Sequence, residues 1–427
     1  MKFKSIFVLI SLILLSSCKD YQSLSDLRNK HLKGQGTEDK PYMIHTAEDL
    51  LTLKEDYFSY YKLANDIDLS SVEWPKIDFF GVLDGGGYTI YNLTPDKSDY
   101  DIGLFSNLLG TVKNLTIEGI NIDAEEENSV GGIAGRMLGG DIDNCTVILN
   151  EGSMIRGRNY VGGLVGCMAD SPSDAKISNC KVISSSTSAI ISGKNYVGGI
   201  AGEILFDDKE DKVSKYEIEN CHVEANITGE TYTGGLCGYI ITTAPTAFSS
   251  CSYKGDISGE SRIGGILGTG PNETTFTGCK VNANITVSDD EGGGIVGEGG
   301  SYYYLIFANC YGCYVSGTIS SSNSSASYLS GIACCSNMEL CYSTMTSKHQ
   351  NYNAFGYRTK AIDCASTSSV SGESLTNCYP SCQDILAFIS ASTSSYLSLF
   401  NLEESWIWTG SINGKSYNVP CPKLSWE

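Results

Sequence analysis

Residues 159 to 166 read NYVGGLVG and residues 195 to 202 read NYVGGIAG, and related strings centred on paired glycines return along most of the chain. Internal repetition at a short period restricts a chain to stacked or radial architectures, because one unit is too small to bury its apolar side alone. Aligned on the second glycine, the copies fall at Gly103, Gly132, Gly163, Gly199, Gly235, Gly265, Gly294, Gly331 and Gly356. A second mark follows each, at Leu115, Cys145, Cys180, Cys221, Cys251, Cys279, Cys310, Cys341 and Cys364, often behind an asparagine, and Cys378 looks like a partial tenth. Anchor glycines are 25 to 37 residues apart. The units contain short β-branched runs split by Gly, Ser or Asn and no long helical period, and 47 Gly against 9 Pro agrees with strands joined by tight turns.

Units of this size with several strands close a continuous core when stacked. The pattern predicts an all-β parallel β-helix (a solenoid) of about nine coils, each strand pairing with its equivalent one coil away, in a rod on the order of 43 Å long. A β-propeller is the competitor, but its antiparallel blades need about 40 to 45 residues each. Within YVGGLVG, Val161 and Leu164 are three apart and would face opposite ways on a straight strand. Both point inward only if the chain bends between them, so the glycine pair is expected at a corner, supplying a positive φ or a close contact between coils.

Three residues before the anchor glycine stand Tyr100, Tyr160, Tyr196, Tyr232 and Tyr328, with Ser129, Arg262, Glu291 and Asn353 in the other coils. Beside an inward valine this position should face outward, which predicts a broken tyrosine ladder along the rod. Stacked rings stabilise neighbouring coils by themselves, and a sugar-binding strip is the functional alternative. The segment from anchor glycine to cysteine varies most in length, so variable loops are expected on one face; Tyr302, Tyr303 and Tyr304 mark the most aromatic of them.

These units resemble the GLUG motif, found in right-handed parallel β-helix regions of bacterial surface proteins and near some immunoglobulin-cleaving proteases. The resemblance spans about Gly103 to Cys378 and is clearest at 161 to 166, 197 to 202 and 263 to 268. It implies a right-handed β-helix and an adhesin-like role. The chain opens MKFKSIFVLISLILLSSCKD, whose basic start and short apolar run have the layout of a secretory signal. LSSC resembles the lipobox of bacterial lipoproteins, which implies cleavage before Cys18, acylation of that residue, and a cell-envelope location through an outer-membrane lipid anchor.

The expected organisation is therefore a signal peptide at 1–17, a lipid-anchored tether at 18–36, an N-terminal cap and lead-in at 37–102, the repeats at 103–378 and a C-terminal cap at 379–427. Thr46 and Asp49 resemble a helix capping box ahead of AEDLLTLKE, a short amphipathic helix suited to covering the first coil. Trp406, Trp408 and Trp426 concentrate aromatic bulk in the last segment, which reads as a lid.

Seventeen cysteines in an exported chain would ordinarily signal disulfides. In-register residues on successive coils, however, lie about 4.8 Å apart, beyond the roughly 3.5 to 4.5 Å a disulfide prefers between Cβ atoms. The column from Cys145 to Cys364 is expected as a buried thiol ladder, and Cys382 with Cys421 is the better disulfide candidate. In CYGC, Cys310 and Cys313 are expected to diverge as residues three apart on a strand, as are the vicinal Cys334 and Cys335. The four histidines are scattered without zinc-protease spacing, Asp84 reads as a turn residue, and acidic clusters at 125–127, 207–211 and 289–291 read as solvated loops.

Without residues 1–17 the chain has 27 basic and 49 acidic residues, a net −22 that repels nucleic acid. The expectation is a non-enzymatic surface protein without cofactor, metal or catalytic residues, attached to the membrane through Cys18. Its β-helix would bind a glycan or a host or bacterial surface protein. A polysaccharide lyase or glycoside hydrolase on the same scaffold, or a structural spacer, are the alternatives.

Overall fold

The computed structural model describes residues 32–427 except 170–174, 187–189, 206–215, 243–245, 272–273, 299–307, 326–327, 334–335, 340, 354–359, 363–364, 367–373, 377–399, 413–414 and 425–427. At 336, 360–362 and 365, and from 374 onward, it describes the backbone only. Among the described residues there is one short α-helix, Ala47–Leu51, and nearly everything else regular is strand. The helix starts at the capping box read from the sequence. Thr46 Oγ1 accepts the Asp49 amide at 3.1 Å, and the Asp49 carboxylate accepts the Thr46 amide at 3.2 Å. Leu50 and Leu53 point from this segment into the core.

Three parallel sheets run through the repeats. A 13-stranded sheet begins Tyr42–Ile44, Tyr60–Leu63, Val82–Asp84, Thr111–Lys113 and Gly140–Asp143; a 7-stranded sheet lies between Asp78–Phe79 and Leu267–Thr269; the third and largest network has 21 strands. Each strand pairs with its equivalent in the adjoining repeat. Thus Val112, Ile142, Ile177, Ile218, Phe248, Phe276, Cys310 and Met338 form one in-register column, and all of them are buried. Fully burying such a side chain contributes about 1.5–3 kcal/mol, and adjoining repeats supply the surface that covers it. The fold is therefore all-β and solenoid-like, and its parallel pairing rules out the antiparallel blades of a propeller. Among the described strands the antiparallel pair is Phe400–Ile412 with Lys415–Leu424, a hairpin that places Trp406 opposite Cys421. The proposed partner Cys382, together with Trp426, falls outside the described residues.

Two kinds of corner shape each repeat. At the first, Asn114, Asn144, Asn179, Asn220 and Ser250 take φ values between 51° and 56°, and Gly278 and Gly312 take 60°. Asparagine tolerates this left-handed conformation best after glycine, which explains the NC spelling. The next residue turns inward. Cys145, Cys180, Cys221, Cys251, Cys279, Cys313 and Cys341 occupy that column as buried free thiols, and Leu115 precedes them. Cys180 Sγ, for example, donates to Ser178 O at 3.0 Å and to Ile142 O of the preceding repeat at 3.5 Å.

The structure corrects the reading of CYGC. The ladder thiol is Cys313, whose Sγ donates to Phe276 O at 3.5 Å, while Cys310 lies in the strand before it, between Phe276 and Met338. Both are buried, because the Gly312 corner between them turns each side chain inward where a straight strand would have sent them apart. Cys334, Cys335 and Cys364 fall outside the described residues.

The second corner decides between the two roles expected of the paired glycines. Val161 and Leu164 are both fully buried, as the bend requires. The positive φ, however, belongs to the residue before the valine: Ser129, Tyr160, Tyr196, Tyr232, Arg262 and Glu291 lie between 57° and 60°. The glycines serve close approach instead. A Cβ on Gly163 would come within 2.2 Å of Gly199 O and 2.9 Å of Val182, and one on Gly162 within 2.0 Å of Val165 O.

Candidate binding strip

The second corner and the strand after it present two neighbouring columns on one side of the molecule. The first contains the corner residues Ser129, Tyr160, Tyr196, Tyr232, Arg262 and Glu291. The second lies seven residues further along each repeat: Arg136, Cys167, Glu203, Tyr239 and Thr269 are mutually in register, and Glu298 follows through a hydrogen bond from Thr269.

The tyrosines stack. Tyr160 and Tyr196 have ring centroids 5.1 Å apart and planes 8° apart, and Tyr196 and Tyr232 are 5.1 Å and 18° apart. Tyr239, from the second column, tilts against Tyr196 at 5.0 Å and against Tyr232 at 5.1 Å. The rings are half-buried and their faces cover one another. This geometry disfavours a platform on which sugar rings would lie face to face with each tyrosine.

Arg262 ends the stack. Its guanidinium sits 5.1 Å from the centre of the Tyr232 ring, and Nε lies 3.4 Å from both Glu291 Oε2 and Glu298 Oε2. Burial, with the charge of Glu298 beside it, pushes the Glu291 carboxyl up to about 7, against the pull of Arg262. Glu203, 6% exposed, is likewise pushed up to about 7 by burial. Among the described residues its hydrogen-bond partner is the thiol of Cys167, which donates to Oε2 at 3.6 Å. Arg136 stands one rung beyond Cys167, with Nε buried and without a hydrogen-bond partner.

Not all predicted positions join this strip. Tyr100 leaves the ladder: the first repeat has one residue fewer at this corner, so Ile102 bridges to Val130 and Asp101, φ 60°, takes the corner position. Tyr100 is 57% exposed with Lys76 Nζ 5.6 Å from its ring centre. Tyr328 holds the ladder register after Glu291, since Leu329 pairs with Gly292. In the ninth unit Asn353 pairs with Ser330, two residues past the ladder position, and is buried. Tyr302, Tyr303, Tyr304 and Cys18 lie outside the described residues. In several repeats a segment of varying length starts from the 7-stranded sheet and ends at the 13-stranded one, as between Ala169 and Ala175 and between Leu205 and Tyr216.

Asp84 is a turn residue as expected: Oδ1 accepts the Gly86 amide at 2.9 Å and the Asn114 side-chain amide at 3.0 Å. Glu125 of one acidic cluster pairs with Arg156 at 2.8 Å, and among the described residues no group of three His, Cys, Asp or Glu is arranged to hold a metal ion. Sequence reasoning missed the second column. A fixed offset of seven from each corner residue was the available signal, concealed because Arg, Cys, Glu, Tyr and Thr share no chemical type.

No family model matches the chain. It is 34% identical over 175 residues to the protein named "Halomucin" from Haloquadratum walsbyi, covering 37% of this chain and 2% of that protein. It is 30% identical over 179 residues to a protein named "Putative Gly-rich membrane protein" from Evansella cellulosilytica, covering 31% of this chain and 20% of that one. The chain thus spans only a small part of the length of these relatives. Among solved structures, one titled as a "putative immunoglobulin A1 protease" from Bacteroides ovatus aligns with a TM-score of 0.46 and 23% identity, over 60% of this chain and 78% of that one.

Proposed function

We propose that this chain is a non-enzymatic protein of the cell envelope, lipid-anchored to the outer membrane at Cys18. It displays a right-handed parallel β-helix of about nine coils, closed by the N-terminal helix and a C-terminal cap, for binding a glycan or a protein of another cell surface. The observation that carries this reading is the conformation of Tyr160, Tyr196 and Tyr232. A bulky side chain in the left-handed region costs roughly 1–2 kcal/mol relative to glycine, and the other corner of the same repeats avoids much of that cost with asparagine. Three successive tyrosines at strained positions point to a use for the side chain. Stacking accounts for part of it; the half-exposed rings and the charged groups beside them supply a recognition surface. The envelope location is supported by the names of the two relatives and by the signal-like start.

A polysaccharide-cleaving enzyme is the second reading, favoured by the raised pKa of buried Glu203. Glycosidases place two carboxyls roughly 5–10 Å apart. In its own column the next carboxylate, Glu298, is three rungs from Glu203, about 14 Å at the strand spacing. The full chain on a glycan array and on envelope-extract blots tests the proposal. Retention of a defined sugar or band, weakened at least tenfold by Tyr160→Ser, Tyr196→Ser and Tyr232→Ser together, is the expected result. No retention of any component would leave a spacer, and shortened polysaccharide would establish the enzyme.

A further inference from the structure

In the first repeats two consecutive apolar positions end each strand of the 7-stranded sheet. The first points inward: Phe79, Leu108 and Met137 are in register and buried. The next residue along a strand faces the other way, so Phe80, Leu109 and Leu138 come out at the corner leading to the 13-stranded sheet. Phe58 stands one rung before Phe80, whose amide donates to Tyr57 O at 2.9 Å. Phe58 is 52% and Phe80 36% exposed, while Phe79, Phe105, Phe248 and Phe276 are fully buried. Leu109 and Leu138 are part-exposed, and the outward column closes one rung later at Ala169, which is buried. The rings of Tyr57, Phe58 and Phe80 lie 4.8 to 5.5 Å from one another.

This apolar edge adjoins the place where the chain enters the fold. Lys33 bridges to Met43, and Gly36 O accepts the Tyr60 amide at 3.0 Å, so the lead-in runs beside the strand that follows Phe58. Cys18 precedes Leu32 by 14 residues, a reach of at most about 50 Å. Within four residues of Phe58 or Phe80 there are three lysines and four acidic side chains, a near balance in a chain of net charge −20.

We propose, resting on the reading of Cys18 as a lipid anchor, that the edge formed by Phe58, Phe80, Leu109 and Leu138 docks on the bilayer that holds the acyl chains. The two phenylalanines enter the boundary between headgroups and hydrocarbon, and the leucines extend the contact over roughly 14 Å of the edge. A short tether keeps this patch at high local concentration beside the lipid, and the local charge balance spares it the repulsion that the rest of the chain would meet at an anionic surface. The tyrosine ladder begins at Tyr160, one repeat beyond Leu138, so the docked edge holds the strip at a set height above the membrane.

The test uses the chain as cells acylate it, purified from membranes and placed in phosphatidylcholine vesicles with or without bromine on the lipid acyl chains. Two reporters, Phe58→Trp and Phe80→Trp, are each read against the unaltered chain, whose own tryptophans set the background, and against Tyr88→Trp. Tyr88 is 38% exposed but lies at the turn between the 13-stranded sheet and the largest one. Brominated lipid should quench the added emission of either patch reporter about twofold or more and leave that of Tyr88→Trp nearly unchanged. Because the two reporters are independent, one that fails to fold leaves the other to decide. Patch reporters quenched no more than Tyr88→Trp, on a chain whose mass shows acyl groups at Cys18, would overturn the docking and leave the anchor standing. A chain without acyl groups would overturn both. Emission of Phe58→Trp that shifts with protein concentration and ignores bromine would assign the patch to a second copy of the chain and overturn the proposal as well.

Discussion

At the scale of single residues, the two corners separate strain from crowding. Gly163 has no positive φ, yet an added methyl would collide with backbone of the next repeat at 2.2 Å. Gly163→Ala should therefore lower stability by about 3 kcal/mol or more in chemical denaturation, since neither neighbour is a flexible side-chain tip. Gly152 has open space around its Cβ position but φ of 80°, and Gly152→Ala should cost only about 1–2 kcal/mol. Tyr196→Asn sets the opposing terms against one another. The substitution relieves roughly 1 kcal/mol of backbone strain but removes contacts with Tyr160, Tyr232 and Tyr239, each worth about 0.5–1.5 kcal/mol. A net loss of about 1–2 kcal/mol is expected. A gain in stability would mean that the stack contributes nothing to the fold and that the tyrosines are there for binding alone.

At the scale of elements, the strip carries a pH signature. Glu203 and Glu291 titrate at about 7 in the folded chain and at ordinary carboxyl values once unfolded, so the folded state holds the extra protons between those limits. Their contribution is fully present below the unfolded pKa and is lost as pH rises through 7, at up to about 1.4 kcal/mol per pH unit for each group. The melting temperature should fall between pH 5 and pH 7.5, and Glu203→Gln with Glu291→Gln should flatten that slope. An unchanged slope in the double variant would place the titration elsewhere.

The elements also show what the sequence disclosed. Glycine pairs and NC marks recur at fixed order, so parallel stacking, the inward valines and leucines, and six of the seven described ladder thiols were legible from spacing. Cys310 was misread because two cysteines compete in CYGC, and only the observation that Gly312 can replace the corner asparagine decides for Cys313. Tyr100 was misread because a one-residue deletion at the corner leaves its distance to the anchor glycine unchanged. The partner column stayed hidden since it is defined by position and shares no residue type.

For the whole molecule, the thiol column is the most direct probe of the stacked arrangement. Burial pushes the Cys221, Cys251 and Cys313 thiols far above the usual range, and each lies against backbone carbonyls in the buried interior. Iodoacetamide applied to the native chain should leave the seven column cysteines unmodified by peptide mapping, and denaturant should expose them in one step. Labelling of Cys180 or Cys221 under native conditions would contradict a continuous closed core.

The side-chain amides of neighbouring repeats hold a last feature in common. Asn114 donates back to Asp84, Asn144 to Asn114, Asn220 to Asn179, Asn195 to Asn159 and Asn284 to Asp256. Carboxylates that can only accept, Asp84, Asp143 and Asp256, stand at the upstream ends of three of these chains and fix their direction, while the Asn195–Asn159 chain ends on Asn128. For these side-chain bonds a newly arriving repeat finds its acceptors already laid down by the one before it. Such side-chain ladders can be built vectorially, turn upon turn in the order that translation delivers them, with the amino end serving as the template.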